Sequence, residues 1–320
     1  MGGGPDQPKH FVHRARDCIE AGDSPAALAE LERGVALHPH SPKLLFELGY
    51  LLYETGDTAR SYELLHRAVN AAPNANCRVF FTLSEVSAEG EGWQWAQKGV
   101  VVGAEQLRGL QAELDALGSA SDSRRSALLS KVTALRRVLA QGCCKLAELA
   151  AACDRPAEEA LVALTEGSQL DPAYLEPYAR LLLLHFNAQS EQAFDSTLTA
   201  LLQRVRELEA NDDEELEHYE PEFFNGVSRL LLDTGRLAEG VEWTETAAGQ
   251  HPRDLMTLYL RAFLCWRAGE LEEAAAVLED LEELNVLDCG DEELVSGFSE
   301  LRDALGGGAT MGSGGCIEGE

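Results

Sequence analysis

Basic residues are scarce in this sequence. Lysine and arginine together number 26 against 55 aspartates and glutamates, a formal net charge of -29 over 320 residues. Such a deficit repels nucleic acid and anionic lipid, whose phosphates carry the same sign, so neither is expected as a direct partner. It attracts basic proteins, speeds their capture and turns away wrong partners. The alternative is an acidic surface that only keeps the protein soluble. Long apolar runs are missing as well, and no segment reaches the length of a bilayer span. Met1 leads into a Gly/Pro/Asp stretch without the apolar core of a secretory signal, and Asp6 stands where myristoylation favours Ser or Thr. The eight cysteines (Cys18, Cys77, Cys143, Cys144, Cys153, Cys265, Cys289 and Cys316) form no C-x-x-C pair. They read as reduced thiols, and the expected location is cytoplasmic with passage through the nucleus.

The signatures of catalysis are also lacking. No G-x-x-x-x-G-K-[ST], G-x-G-x-x-G or G-x-S-x-G occurs. His10 and His13 stand three apart, and His38 and His40 flank Pro39, but neither pair belongs to a metal-ligand constellation. Cys143, Cys144 and Cys153 invite a redox reading, yet Lys145 is the only basic neighbour of the pair and small buried residues explain them as well. No enzyme activity, cofactor or metal is expected.

What is present is a repeat. Gly22-Asp23 recurs 34 residues later as Gly56-Asp57, Pro39 as Pro73, Leu31 as Leu65 and Val35 as Val69. Gly235-Arg236-Leu237 recurs at the same spacing as Gly269-Glu270-Leu271. That period is the tetratricopeptide repeat (TPR). Small residues at the eighth position (Ala15, Gly49, Ser228, Ala262) and the twentieth (Ala27, Ser61, Gly240, Ala274) let the two helices of a repeat cross closely. Glycine at the fifteenth supplies a left-handed end to the first helix. Pro39, Pro73, Pro172 and Pro252 end the second helix, since proline cannot continue one. The fold class is all-α, a TPR superhelical solenoid of antiparallel helix pairs.

Regular repeats are expected at about 8-41, 42-75, 141-174, 175-208, 221-254 and 255-288, with a degenerate copy at 76-103 and a helical insertion at 104-140 broken between Gly118 and Ser123. A capping helix at 289-304 covers the last apolar face, and the solenoid spans 8-304. Residues 1-7 and the Gly-rich stretch 305-320 lack the composition to bury a core and are expected to be disordered.

The first helix of each repeat lines the concave groove. Its groove positions hold Phe46, Tyr50, Tyr53 and Glu54 in the second repeat, Glu222, Asn225 and Asp233 in the copy at 221-254, and Tyr259, Phe263 and Trp266 in the last. Aromatic anchors flanked by carboxylates suit a basic, partly apolar peptide; packing between helices is the competing role for the rings. Two acidic runs lie in the C-terminal half: nine carboxylates from Glu207 to Glu222 and eleven from Glu270 to Glu293, neither with a lysine or arginine. Each alone could be a solvated face, and together they favour a basic ligand. The TPR subclass that clamps chaperone carboxylate tails uses lysine and asparagine where this groove is aromatic or acidic, which argues against that use.

Several segments carry a closer resemblance. Val79-Phe80-Phe81-Thr82-Leu83-Ser84-Glu85 followed by Trp95-Ala96-Gln97-Lys98-Gly99-Val100 is one. Lys145-Leu146-Ala147-Glu148-Leu149 with Ala157-Glu158-Glu159-Ala160 and Leu170-Asp171-Pro172 is another. Pro221-Glu222-Phe223-Phe224 through Arg229-Leu230-Leu231-Leu232, then Leu258-Tyr259-Leu260 and Cys265-Trp266-Arg267-Ala268-Gly269-Glu270, complete the set. In this order, over roughly 40-285, they resemble the dedicated assembly chaperones of large-subunit ribosomal protein number four. Leu258-Tyr259 replaces that family's Trp-Tyr pair, and Gln250-His251-Pro252-Arg253-Asp254 replaces its aspartate-rich turn. The resemblance implies a holdase whose acidic groove shields a basic ribosomal protein until rRNA phosphates compete for it, and a monomer is expected. The alternative is a TPR scaffold or adaptor subunit of a multiprotein complex.

Overall fold

The computed structural model describes residues 7–74, 76–117 and 122–308, and among them every regular element is helical. The chain divides into two compact units, Met1–Leu181 and Leu182–Glu320, described here in turn. Fifteen α-helices are present among the described residues, and the fold is an all-α TPR solenoid.

In the first unit, α1 (Pro8–Glu20) packs on α2 (Ser24–Leu37), and α3 (Pro42–Glu54) on α4 (Thr58–Ala71). Local chemistry sets these bounds. Asp23 and Asp57 cap the second helices by accepting from the backbone N–H of Ala26 and Arg60, at 3.0 and 3.2 Å. Gly22 and Gly56 take φ of 77° and 87°, the left-handed turn that an L side chain resists. Each of α2 and α4 ends two residues before a proline, Pro39 or Pro73. Where the two helices cross, the Ser61 hydroxyl donates to the Gly49 carbonyl at 2.7 Å, and a Cβ on Gly49 would stand 2.9 Å from Leu65. The small residues at the eighth and twentieth positions are therefore required by approach distance.

The degenerate copy is α5 (Arg78–Val86), only nine residues long, against α6 (Glu89–Ala116), which has 28. α6 passes the expected boundary at 103 without interruption. α7 (Asp122–Ala152) likewise runs for 31 residues and then pairs with α8 (Ala157–Leu170). The expected insertion at 104-140 is thus not a separate element. It is the far ends of two repeat helices, extended to about 42 and 47 Å at 1.5 Å per residue and packed on one another. The reason is a continuous apolar stripe: Leu107, Val132 and Leu139 are buried there with Leu110 and Leu135 against them. Phe81 of α5 locks the base of this pair. Its ring lies where a Cβ on Gly99 (2.6 Å) or Gly142 (2.2 Å) would be, so two mid-helix glycines admit it. Most of the expected break at Gly118 to Ser123 lies outside the described residues.

The boundary between units falls within α9 (Glu176–Asn187). The second unit continues with α10 (Glu191–Ala210), a 3-10 turn Glu214–His218, α11 (Pro221–Asp233), α12 (Leu237–Gln250), α13 (Leu255–Ala268) and α14 (Leu271–Glu283). Gly235 and Gly269 repeat the left-handed stop, with φ of 70° and 88°. The irregular copies fill the same role with Asp154 and Gln189, both at φ 52°. Such a backbone is strained for a residue with a Cβ, and Asn and Asp tolerate it best. Trp243 is fully buried and donates to the Phe224 carbonyl at 3.0 Å. The cap is α15 (Glu292–Gly308), which buries Leu294, Phe298 and Leu301 on α13 and α14. It begins three residues later than the expected 289 and absorbs residues 305–308 of the expected disordered tail. Residues 309–320 and 1–6 lie outside the described residues.

Candidate functional site

The first helices of the repeats carry the sequence-predicted residues, and the structure arranges them as two aromatic ladders. On α3 the rings of Phe46, Tyr50 and Tyr53 follow one another at centroid distances of 6.0 and 6.4 Å. On α13 the rings of Tyr259, Phe263 and Trp266 do so at 6.1 and 5.5 Å. Both ladders occupy the fifth, ninth and twelfth positions of their repeats. The spacing of four and then three residues places all three rings on one helix face.

Their surroundings differ. In the first unit Tyr50 is 44% exposed and forms, with Glu54, the shared wall of two open cavities. One, of 450 Å³, lies between α3, α5 and α7 and is lined by Tyr53, Phe81, Glu85 and Lys145. The other, of 350 Å³, lies between α1 and α3 against Val12, Ile19 and Leu51. Burial and a hydrogen bond with Glu54 raise the Tyr50 phenol above its ordinary range, and burial and the carboxylates Glu85 and Glu54 raise Tyr53. Lys145 is engaged by Glu85 at 2.9 Å and Glu148 at 2.8 Å. Phe46 departs from expectation: only 9% exposed, it is mostly core and shows one edge to a separate recess beside Pro42 and Val79. Sequence reasoning missed Arg78, Phe81 and Glu85, because the nine-residue α5 shifts the degenerate copy out of phase, and it passed over Lys145, which stands at the fifth position of the copy at 141-174.

In the second unit Glu222 and Asp233 stand exposed on α11, with no ion pair among the described residues. Asn225 does not join them. It is 8% exposed, donates to Asp254 at 3.3 Å and accepts from the Thr257 hydroxyl at 3.0 Å. This is a correction: a buried amide must satisfy its own hydrogen bonds, and Asn225 does so by tying α11 to the start of α13. Tyr259, Phe263 and Trp266 are half-buried against the cluster that α15 completes, and the Tyr259 ring lies over Gly297 of the cap. That burial, with Glu300 nearby, raises the Tyr259 phenol.

Charge separates the two units further. The first has 24 acidic and 18 basic residues, a net of -6; the second has 31 and 8, a net of -23. No lysine follows Lys145. Some carboxylates of the acidic runs are spoken for. Glu209 accepts from Thr246 at 2.7 Å, Glu215 from Tyr219 at 3.0 Å, and Glu273 pairs with Arg261. Asp212, Asp213, Glu214, Glu217 and Glu220 remain at the surface around the 3-10 turn. The cysteine pair is chemically quiet: burial pushes Cys143 and Cys144 up to about 12, far from the thiolate state that reactivity requires. Among the described residues no group of three His, Cys, Asp or Glu is placed to hold a metal, and no helix is long and apolar enough to cross a membrane.

Two tetratricopeptide repeat family models match the sequence, over residues 19–78 and 255–280. The chain therefore carries TPR repeats in both units. No curated protein matches the sequence. Among solved structures the chain is similar to the assembly chaperone of RpL4, Acl4 (residues 1–338), with a TM-score of 0.66 and 20% identity, over 84% of this chain and 99% of that one. It is also similar to PilW, a widely conserved type IV pilus biogenesis factor, with a TM-score of 0.52 and 10% identity, over 78% of this chain and 96% of that one. At these identities the likeness is one of fold.

Proposed function

We propose that this TPR protein is a dedicated chaperone that binds and shields a basic ribosomal protein before it enters the large ribosomal subunit. The observation that carries the reading is the concentration of charge. A unit of 139 residues with a net of -23 and no lysine offers a cationic chain a neutralising surface, beside an aromatic ladder that holds apolar side chains. The similarity in fold to a ribosomal-protein assembly chaperone supports it. Counter-charge on the chaperone lowers the client's affinity for RNA phosphate, and release follows when rRNA competes for the same cations. The client contacts are assigned to Tyr50, Tyr53 and Glu54 in the first unit and to Glu222, Asp233, Phe263 and Trp266 in the second. The protein acts as a monomer in the cytoplasm and accompanies its client into the nucleus.

Affinity purification of the tagged full chain, read by mass spectrometry, tests this. The expected result is one basic large-subunit ribosomal protein, enriched at low salt and lost as salt screens exposed charge. Recovery of several non-ribosomal proteins in salt-resistant, stoichiometric amounts would overturn it in favour of a scaffold subunit.

A further inference from the structure

We propose that the first unit carries a second binding site, on the side formed by α6 and α8, for a peptide segment that sets an apolar side chain beside a lysine or arginine. The site goes beyond the chaperone reading and stands whether or not that reading holds. On α8, Glu158, Val162 and Glu166 follow one another at successive turns. Val162 is 66% exposed, the most open of the large apolar side chains among the described residues. Glu158 and Glu166 are exposed, and no ion pair engages either among the described residues. Beside this stripe opens a cavity of 390 Å³ between α6, α7 and α8, with Leu146 and Ala150 along it and Trp93 and Val100 as the facing wall. An exposed valine framed by two uncompensated carboxylates, over an apolar cavity, presents one apolar and two cationic subsites a helical turn apart.

The cation already present is committed elsewhere. Arg155 forks onto Glu159 at 2.6 and 2.9 Å and stacks over the Trp93 ring at 3.7 Å. Beneath it the indole N–H of Trp93 is closed to solvent and donates to nothing among the described residues. Charge decides the kind of occupant. Residues 309–320 hold Glu318 and Glu320 and no base, and a second copy brings a net of -29, so both are repelled. A basic partner is not. The site is also separate from the ladder on α3. α7 turns Gln141 and Lys145 toward the 450 Å³ cavity and Cys143, Leu146 and Ala150 toward this one, so both can be filled together.

The test uses the full chain labelled with 5-fluorotryptophan, its four tryptophan resonances assigned by single Trp→Phe variants. The probes are acetyl-Leu-Arg-amide, acetyl-Leu-Glu-amide and acetyl-Ala-Arg-amide. Acetyl-Leu-Arg-amide should move the Trp93 resonance saturably and leave Trp243 and Trp266 in place. Acetyl-Leu-Glu-amide should bind about fivefold more weakly, the upper value of one exposed charge pair, and acetyl-Ala-Arg-amide should bind more weakly through its lost apolar contact. Val162→Ser should weaken acetyl-Leu-Arg-amide, and Glu158→Lys with Glu166→Lys should reverse the preference toward acetyl-Leu-Glu-amide. All three positions are exposed, and an unchanged Trp243 resonance verifies folding. No saturable shift at Trp93, equal shifts from all probes, or indifference to the charge swap would overturn the proposal.

Discussion

The two units carry the same aromatic ladder in opposite settings. On α3 the ladder faces open cavities in a unit whose charges nearly balance, with Glu54 and Glu85 offset by Arg78 and Lys145 in the same lining. On α13 it is half-covered by α15, in a unit with almost four carboxylates for every base. One repeat position therefore does two jobs: it holds an open wall in the first unit and receives the cap in the second. Ring positions report the repeat; what stands against them decides whether they are free to meet a partner. Electrostatics divides in the same way. Exposed pairs in the first unit offset most of its carboxylates, whereas the second unit keeps Asp212, Asp213, Glu214, Glu217 and Glu220 exposed around its 3-10 turn, so the proposed capture of a basic chain is assigned to the second unit.

The most disruptive way to probe this division is through the two cores. Trp243→Ala should cost about 3–5 kcal/mol by removing a fully buried indole and leaving a cavity. Phe80→Ala, also fully buried, should cost a similar amount in the first unit. In native-state hydrogen exchange each variant should lose protection mainly in its own unit; equal loss across all helices would erase the comparison. Next in size is the buried amide. Asn225→Ala should lower stability by about 1 kcal/mol through its lost bonds to Asp254 and Thr257, which keep each other as partners, while client affinity holds under folding conditions. A drop in affinity with unchanged denaturation would return Asn225 to the contact set.

Charge reversal gives a smaller and more pointed effect. Glu222→Lys with Asp233→Lys should weaken a basic client by up to about thirtyfold at low salt, taking about 0.2–1 kcal/mol for each exposed pair. Glu54→Lys in the balanced unit should do less, and titration calorimetry at two salt concentrations separates them. If Glu54→Lys proves the more damaging, the acidic unit is not where capture occurs. The smallest effect concerns Tyr50. Its phenol is raised by burial and then by Glu54, so the neutral form is favoured in the fold. The associated stability is complete below the unfolded tyrosine value of about 10 and is lost as pH climbs through the folded one. Phenolate absorbance should show Tyr50 ionising late, and Glu54→Gln should bring it earlier.

Much of this was legible in the sequence for local reasons. Gly22, Gly56, Gly235 and Gly269 mark backbone turns that an L side chain resists, and Asp23 and Asp57 mark helix starts that need an acceptor. Gly49 and Ser61 mark a crossing that needs small atoms. Each effect spans a few residues, so spacing alone reveals it. The candidate site was legible as a set of positions and not as a set of exposures. Asn225 and Phe46 occupy groove positions by count, but Asn225 is claimed by Asp254 and Thr257, 29 and 32 residues on, and Phe46 by the core. The lining from Arg78, Phe81 and Glu85 escaped notice because a nine-residue α5 breaks the register that counting relies on, whereas Lys145 stands at a fifth position that counting reaches.

By itself, then, the sequence determined the helices, their pairing, the repeat period and the sign of the surface, all consequences of short-range spacing and composition. Only the tertiary structure decided three things. The stretch from 104 to 140 extends α6 and α7, because its apolar stripe packs on itself. The chain past residue 304 continues in α15 to Gly308, whose buried residues Leu294, Phe298 and Leu301 pack against the last repeat. And Tyr50 of the α3 ladder stays open while Tyr259 of the α13 ladder meets the cap, since burial depends on which distant helix arrives against a face and no local pattern encodes that.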